Sequence, residues 1–430
     1  MVMRLRKMTN SVLFGIAVAL AVAACAGAGS VGVNYGRVAD NLPSALKVVK
    51  LVTSHEIDRV KLYDTDPAVL RAFNGSGVKV TVALPNEQLF IVARRLSNAY
   101  AWVKQNVAAY VPATQIVAIA VGNEVFVGSK NVSSYLVPAM TNIYKALVYY
   151  KLQGVVKVSS PLALSALQTS YPPSSGAFRS ELTGSVMSPM LDFLNRTGSY
   201  LMVNVYPYFA YKDNAAVISL DYALFRPNAG VRDSTSGLLY KNLFDAQLDA
   251  VFAAMAALGH KDLDIVVTET GWPSKGDEDE TGASRDNAAA YNGNLVKHVV
   301  SSSGTPMKPN ASLDTYLFAL FNEDKKPGPT SERNFGLFYP TEAKVYDIAL
   351  SVKEVKNSPP SAEAPASGSP SASRPFFSGN TPVATQNPVS PAAAADGSTA
   401  GGPSSSRGST TTPQRSFSVV VALIFVYLVL

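Results

Sequence analysis

Short apolar runs rich in Val, Ile and Tyr recur along the chain at Val31–Gly36, Arg59–Asp64, Val78–Leu84, Ile116–Glu124, Val155–Pro161, Tyr200–Tyr206, Asp264–Gly271 and Thr315–Glu323. Between them lie segments with helical spacing of apolar positions: Pro43–Ser54, Leu136–Lys151, Lys241–Leu258 and Ala283–Ser301. The strand runs are apolar almost throughout rather than alternating, so both their faces are expected to be buried, as in a parallel sheet covered by helices. Eight such units over about 320 residues predict an α/β fold, a single (β/α)8 TIM barrel spanning 30–356. An open doubly wound sheet is the alternative pattern, but no Gly-rich phosphate loop follows Val31–Gly36.

The ends of the chain follow other rules. Arg4, Arg6 and Lys7 precede an apolar run from Val12 to Ala24 and then small residues through Ser30, the layout of a cleaved secretory signal over 1–29. From 357 to 405 the composition shifts to Pro, Ser, Ala, Gly and Thr, which cannot bury a core and predicts a disordered stalk. Small residues at Ser404–Ser406, a polar spacer and the terminal apolar run Phe417–Leu430 predict a GPI-attachment propeptide over 406–430, with Ser405 as the attachment residue. Removal of Arg4, Arg6, Lys7, Arg407 and Arg415 lowers the formal charge from +6 to about +1, so a nucleic-acid partner is not expected. Four N-x-S/T sequons, at Asn74, Asn131, Asn195 and Asn310, agree with a secretory route. The single cysteine, Cys25, lies in the signal, and His55, His260 and His298 are scattered; neither disulfides, a thiol nucleophile, a metal site nor any cofactor is expected.

In such a barrel the reactive groups lie where strands end at the carboxyl face. The fourth run closes on Asn123-Glu124 and the seventh on Glu269, each a carboxylate after a long apolar stretch. Burying one without a partner is costly, so each glutamate asks for a reason. A solvated strand end explains either alone. Two facing one barrel mouth fit glycoside hydrolysis, which needs one carboxyl group protonated to assist the leaving oxygen and another ionised against the sugar carbon. Glu124 is the candidate acid/base and Glu269 the candidate nucleophile. Asn123 is placed to hydrogen-bond a sugar hydroxyl. Tyr35, Tyr206, Phe209 and Trp272 lie at or just past strand ends, where they either pack in the core or present flat faces to sugar.

The motifs Gly32-Val33-Asn34-Tyr35-Gly36, Val121-Gly122-Asn123-Glu124, Asn204-Val205-Tyr206-Pro207-Tyr208-Phe209, Val267-Thr268-Glu269-Thr270-Gly271-Trp272-Pro273-Ser274 and Phe321-Asn322-Glu323 with Lys326-Pro327-Gly328 resemble the plant endo-β-1,3-glucanases of glycoside hydrolase family 17. The likeness runs from Val31 to Ala349. It implies the roles given above for Glu124 and Glu269, and a charged cluster of Glu323, Lys326 and Glu332 beside them. It also implies retaining hydrolysis of internal bonds in β-1,3-glucan. The signal, stalk and apolar tail, read separately, predict a protein held on the outer plasma-membrane leaflet or in the cell wall, and it is expected to be a monomer. A transglycosylase or mixed-linkage glucanase on the same site, and a silent glucan-binding protein, stay open.

Overall fold

The structure is a computed structural model, and it describes residues 29–127, 132–301 and 304–357. All but Gly29 of the expected signal (1–29), all but Asn357 of the stalk (357–405), Ser405 with its propeptide and the sequon at Asn131 lie outside the described residues.

Nine short strands form one sheet: β1 (Val31–Tyr35), β2 (Arg59–Leu62), β3 (Lys79–Leu84), β4 (Gln115–Val121), β5 (Lys157–Ser159), β6 (Pro161–Ala163), β7 (Leu201–Asn204), β8 (Ile265–Thr270) and β9 (Thr315–Leu317). All neighbours are parallel, in the order β5-β4-β3-β2-β1-β9-β8-β7-β6. The two ends of that order, β5 and β6, are consecutive in the chain and separated by Ser160 alone. They are therefore one barrel position, broken by a proline that cannot donate to a ladder, and the sheet closes into an eight-membered barrel. The expected run Val155–Pro161 is thus split, and the last run, expected to Glu323, leaves regular pairing after Leu317.

Helices cover the outside. In α1 (Ala45–Ser54) the buried positions are Val48, Leu51 and Val52, the i, i+3, i+4 stripe of a one-sided helix. α2 (Ser133–Tyr149), α3 (Leu243–Ala257) and α4 (Arg285–Val300) fall where periodicity placed them. Asn242 starts α3 by accepting the Asp245 amide at 2.7 Å, and Ser284 starts α4 by accepting the Asn287 amide at 3.2 Å. Caps of this kind contribute about 1 kcal/mol each.

One large apolar core lies between helices and sheet, and a separate small cluster of Ala83, Ala118, Ala120 and Met202 comes from β3, β4 and β7. Three of these four side chains are alanine, which leaves room in the barrel interior for polar groups. Thr81 on β3 meets Tyr316 on β9 at 3.2 Å, although β2 and β1 stand between those strands in the sheet. Contacts between non-neighbouring strands can only cross the interior, and that is where the candidate site is built.

Candidate active site

Strand β4 ends in a turn that ordinary residues resist. Gly122 has φ +69° and Glu124 φ +49°, a left-handed conformation that a glutamate adopts at a cost of about 1 kcal/mol or more. The surroundings hold it there. The Asn86 side chain accepts the Asn123 amide at 2.8 Å and donates to the Asn123 carbonyl at 2.9 Å, while the Glu124 amide donates to Pro161 O at 2.9 Å. The Glu124 carboxyl group then meets Asn204, at the end of β7, whose Nδ2 donates to Oε1 at 2.8 Å. Thr268 Oγ1 donates to Asn204 Oδ1 at 2.9 Å, which fixes the amide with its nitrogen toward Glu124.

Glu269 is set by an irregularity in β8. Val267 pairs with Val203, but the next partner of Asn204 is Glu269, so β8 spends two residues against one on β7. Such a bulge re-aims a side chain beside a site. Lys61, crossing from β2, donates from Nζ to Glu269 Oε1 at 2.7 Å, and Tyr206 Oη donates to Oε2 at 3.0 Å. The same ammonium lies 3.4 Å from Asn123 Oδ1 and 4.2 Å from the centre of the Tyr63 ring. Lys61 and Glu269 are both 0% exposed. Burial pulls the Lys61 ammonium below the usual lysine value, and Glu269 and then Glu124 act against that. Burial, and after it Glu269 and Glu323, push the Tyr63 phenol well above its ordinary value, so it stays neutral.

The third group comes from the segment after β9. Lys326 Nζ stands 3.9 Å from Glu323 Oε2, 4.0 Å from Glu332 Oε2 and 4.3 Å over the Phe318 ring, with all three charged residues buried. Glu323 is held by the Val38 amide at 2.8 Å, and Gly36 leaves it room: a Cβ there would lie 2.5 Å from both carboxylate oxygens. Burial pushes the Glu332 carboxyl up to about 7; Lys326 opposes this, while Glu280, Glu269 and Glu323 add to it. The turn Thr330–Arg333 that carries Glu332 is fastened to the loop after β8. Ser331 donates its amide at 2.9 Å, and its hydroxyl, to Glu280; Thr330 donates its amide to Asp277 at 2.9 Å.

The aromatic expectations divide. Tyr206 is a hydrogen-bond donor to Glu269 more than a flat face. Its ring and that of Phe209 pack against Phe335 at 5.9 and 6.2 Å, and Tyr35 meets Phe321 edge-on at 6.2 Å. Trp272 as a sugar-stacking surface is corrected. Its indole is fully buried among Tyr208, Tyr211 and Tyr291, with ring centres 5.2 to 5.8 Å away, and its N–H donates to Gly282 O at 2.8 Å. An indole whose faces and donor are all taken has no surface left for a ligand.

Sequence reasoning did not single out Lys61, Tyr63, Asn204 or Thr268. Lys61 left a trace: a lysine between Val60 and Leu62, which face the helices, must face inward. The sequons Asn74, Asn195 and Asn310 are exposed.

The family model described as glycosyl hydrolases family 17 matches residues 31–350. Glucan endo-1,3-beta-glucosidase 11 of Arabidopsis thaliana is 45% identical over 329 residues, covering 76% of this chain and 77% of that protein. Glucan endo-1,3-beta-D-glucosidase of Olea europaea is 47% identical over 327 residues, covering 76% and 71%. Among solved structures, a beta-1,3-glucanase and allergen of Cryptomeria japonica pollen superposes with a TM-score of 0.72 at 46% identity, covering 75% of this chain and 99% of the other.

Proposed function

Because the chain belongs to glycosyl hydrolase family 17, we propose that Glu269 attacks the anomeric carbon of a β-1,3-linked glucosyl unit while Glu124 donates a proton to the departing oxygen. The reaction is hydrolysis of internal β-1,3-glucosidic bonds in β-glucan. The observation that carries the assignment of roles is the tethering of both glutamates to one barrel interior, Glu124 through Asn204 and Thr268, Glu269 through Lys61 and Tyr206. In the first step the carbon–oxygen bond to the leaving glucan breaks and an ester to Glu269 forms. In the second, the Glu124 carboxylate takes a proton from water, the water oxygen bonds to the same carbon, and Glu269 leaves as a carboxylate. Two inversions retain the configuration.

Asn123 Nδ2 is buried with no hydrogen-bond partner among the described residues, which suits a sugar hydroxyl. Glu323, Lys326 and Glu332 form a polar wall beside the reacting unit. Lys326 Nζ and Glu332 Oε2 likewise lack hydrogen-bond partners there, so ligand hydroxyls can complete both. Tyr35, Tyr206 and Phe209 supply apolar surface around them.

The decisive experiment is Glu269→Ala and Glu269→Gln assayed on laminarin, with mixed-linkage glucan in parallel. Both variants should fold and lose roughly 10⁴-fold or more in kcat. Azide should restore part of the turnover of an activated aryl substrate by the alanine variant and release a glycosyl azide of inverted configuration. Near wild-type hydrolysis by either variant removes Glu269 from the mechanism.

The location we propose is the outer face of the plasma membrane. A signal at 1–29, a stalk at 357–405 and a glycolipid on Ser405 replacing 406–430 would carry the glycosylated barrel there as a monomer. Among the described residues no helix is long and apolar enough to cross a membrane.

A further inference from the structure

We propose that Lys61 is the positioning residue of the nucleophile: it holds Glu269 ionised and aligned for attack, then stabilises the carboxylate as it leaves the glycosyl-enzyme. The inference rests on the double-displacement reading above. Its ground is geometric. A carboxylate without exposed surface at the end of a buried strand is protonated unless a cation or several donors compensate it. Lys61 reaches Glu269 across the barrel interior from β2, past β1 and β9, and places its ammonium 2.7 Å from Oε1. The ammonium is pinned in turn, 3.4 Å from Asn123 Oδ1 and 4.2 Å over Tyr63. Tyr206 binds the other oxygen at 3.0 Å, so the plane of the carboxylate is fixed from both ends.

The charge around the pair makes this cation consequential. Glu124 lies beyond β4, Glu323 and Glu332 come from the segment after β9, and Lys326 pairs at 3.9 and 4.0 Å with those last two. The phenols of Tyr63 and Tyr206 also face Glu269, and the Asn123 side chain lies against the Lys61 ammonium. Four carboxyl groups thus share two ammonium groups, and Lys61 is in contact with the reacting one. When the ester to Glu269 forms, the carboxylate charge disappears and the ammonium loses its counter-ion. As the ester hydrolyses, that charge reappears 2.7 Å from a waiting cation. The second step therefore gains from Lys61 as a leaving-group stabiliser, and the first gains through the ionised fraction of Glu269.

The test compares Lys61→Met, Lys61→Gln and Lys61→Arg with wild type in the full chain, with circular dichroism to follow folding. Steady-state rates on laminarin and pre-steady-state rates on an activated aryl β-1,3-glucoside are measured across pH. In Lys61→Met the acidic limb of kcat/KM should rise by a pH unit or more, and kcat should fall by roughly 10²-fold. A burst of the aryl leaving group should appear as breakdown of the ester becomes limiting. Lys61→Arg should return the limb toward its wild-type position. If Lys61→Met does not fold, Lys61→Gln reads the same limb, because it keeps a donor without the charge. A folded neutral variant whose acidic limb stays at the wild-type pH, whether or not its rate drops, overturns the proposal. Wild-type protein inert on every β-glucan, or an active Glu269→Gln, would instead overturn the underlying mechanism.

Discussion

Asn204→Asp exchanges one NH2 group for one oxygen at nearly constant volume and reverses the polarity of the contact that holds Glu124. In the native site Nδ2 donates to Glu124 Oε1 at 2.8 Å, and Thr268 donates to the other end of the amide. The variant keeps its Thr268 bond but presents an acceptor to Glu124. Two bare carboxylates at that distance repel by about 6 kcal/mol at an effective dielectric of about 20. The pair will therefore keep one proton between them instead of carrying both charges. One pH unit corresponds to about 1.4 kcal/mol, so even a quarter of that repulsion displaces the loss of the last proton by a full unit. The basic limb of kcat/KM, which follows the proton on Glu124, should move to higher pH by at least about one unit. The lost donor bond to a charged group, about 1.5–3 kcal/mol, should lower the maximum by roughly ten- to a hundredfold. Asn204→Ala loses the donor without adding a charge, so its limb should shift less than that of Asn204→Asp. Initial rates on laminarin from acidic to alkaline pH read both quantities. A basic limb unmoved in Asn204→Asp, or displaced further by alanine than by aspartate, would show that Glu124 is not the group whose proton sets it.

The barrel was legible because its strands are buried on both faces and so read as unbroken apolar runs. Val31–Tyr35, Lys79–Leu84 and Ile265–Thr270 each lie inside a run marked in advance. Two boundaries went wrong for local reasons. Pro161 cannot continue the ladder that Lys157–Ser159 begins, and the chain after Leu317 turns toward Phe335, whose carbonyl accepts the Ala319 amide at 3.0 Å. At the site, the two glutamates were visible as carboxylates closing apolar strands. Their supports were not. That Asn204 rather than Asn34 reaches Glu124 depends on the order of strands around a closed barrel, and which asparagine points at a distant residue leaves no mark in a linear pattern. Trp272 misled because position beyond a strand end was read as exposure. The indole is covered by rings from Tyr208 and Tyr211 on the short helix Pro207–Asp213 after β7 and from Tyr291 on α4, residues remote from it in sequence.

Two further outcomes concern place and stability. Phosphatidylinositol-specific phospholipase C should release the protein from intact membranes, and recovery of a C-terminal peptide ending in Leu430 from the membrane fraction would exclude attachment at Ser405. Asp249, on α3 away from the site, is 0% exposed, and burial pushes its carboxyl up to about 6 although Thr305 and the Met307 amide, at 2.8 Å, hydrogen-bond it. The sign follows from which form the fold disfavours. The folded value lies above the unfolded one of 3.8, so the contribution to stability is complete below that value and is lost as pH rises through about 6. The loss amounts to about 3 kcal/mol. Asn at this position can accept from the Met307 amide and donate to the Thr305 hydroxyl, keeping both contacts without a charge to desolvate. Urea unfolding of wild type and Asp249→Asn at about pH 4 and about pH 8 should show the wild type losing more stability between the two conditions, by roughly 2 kcal/mol, because part of the loss has already occurred at the lower pH. Equal losses in the two proteins would mean that Asp249 is ionised in the fold without penalty, and that the polar groups around it outweigh its burial.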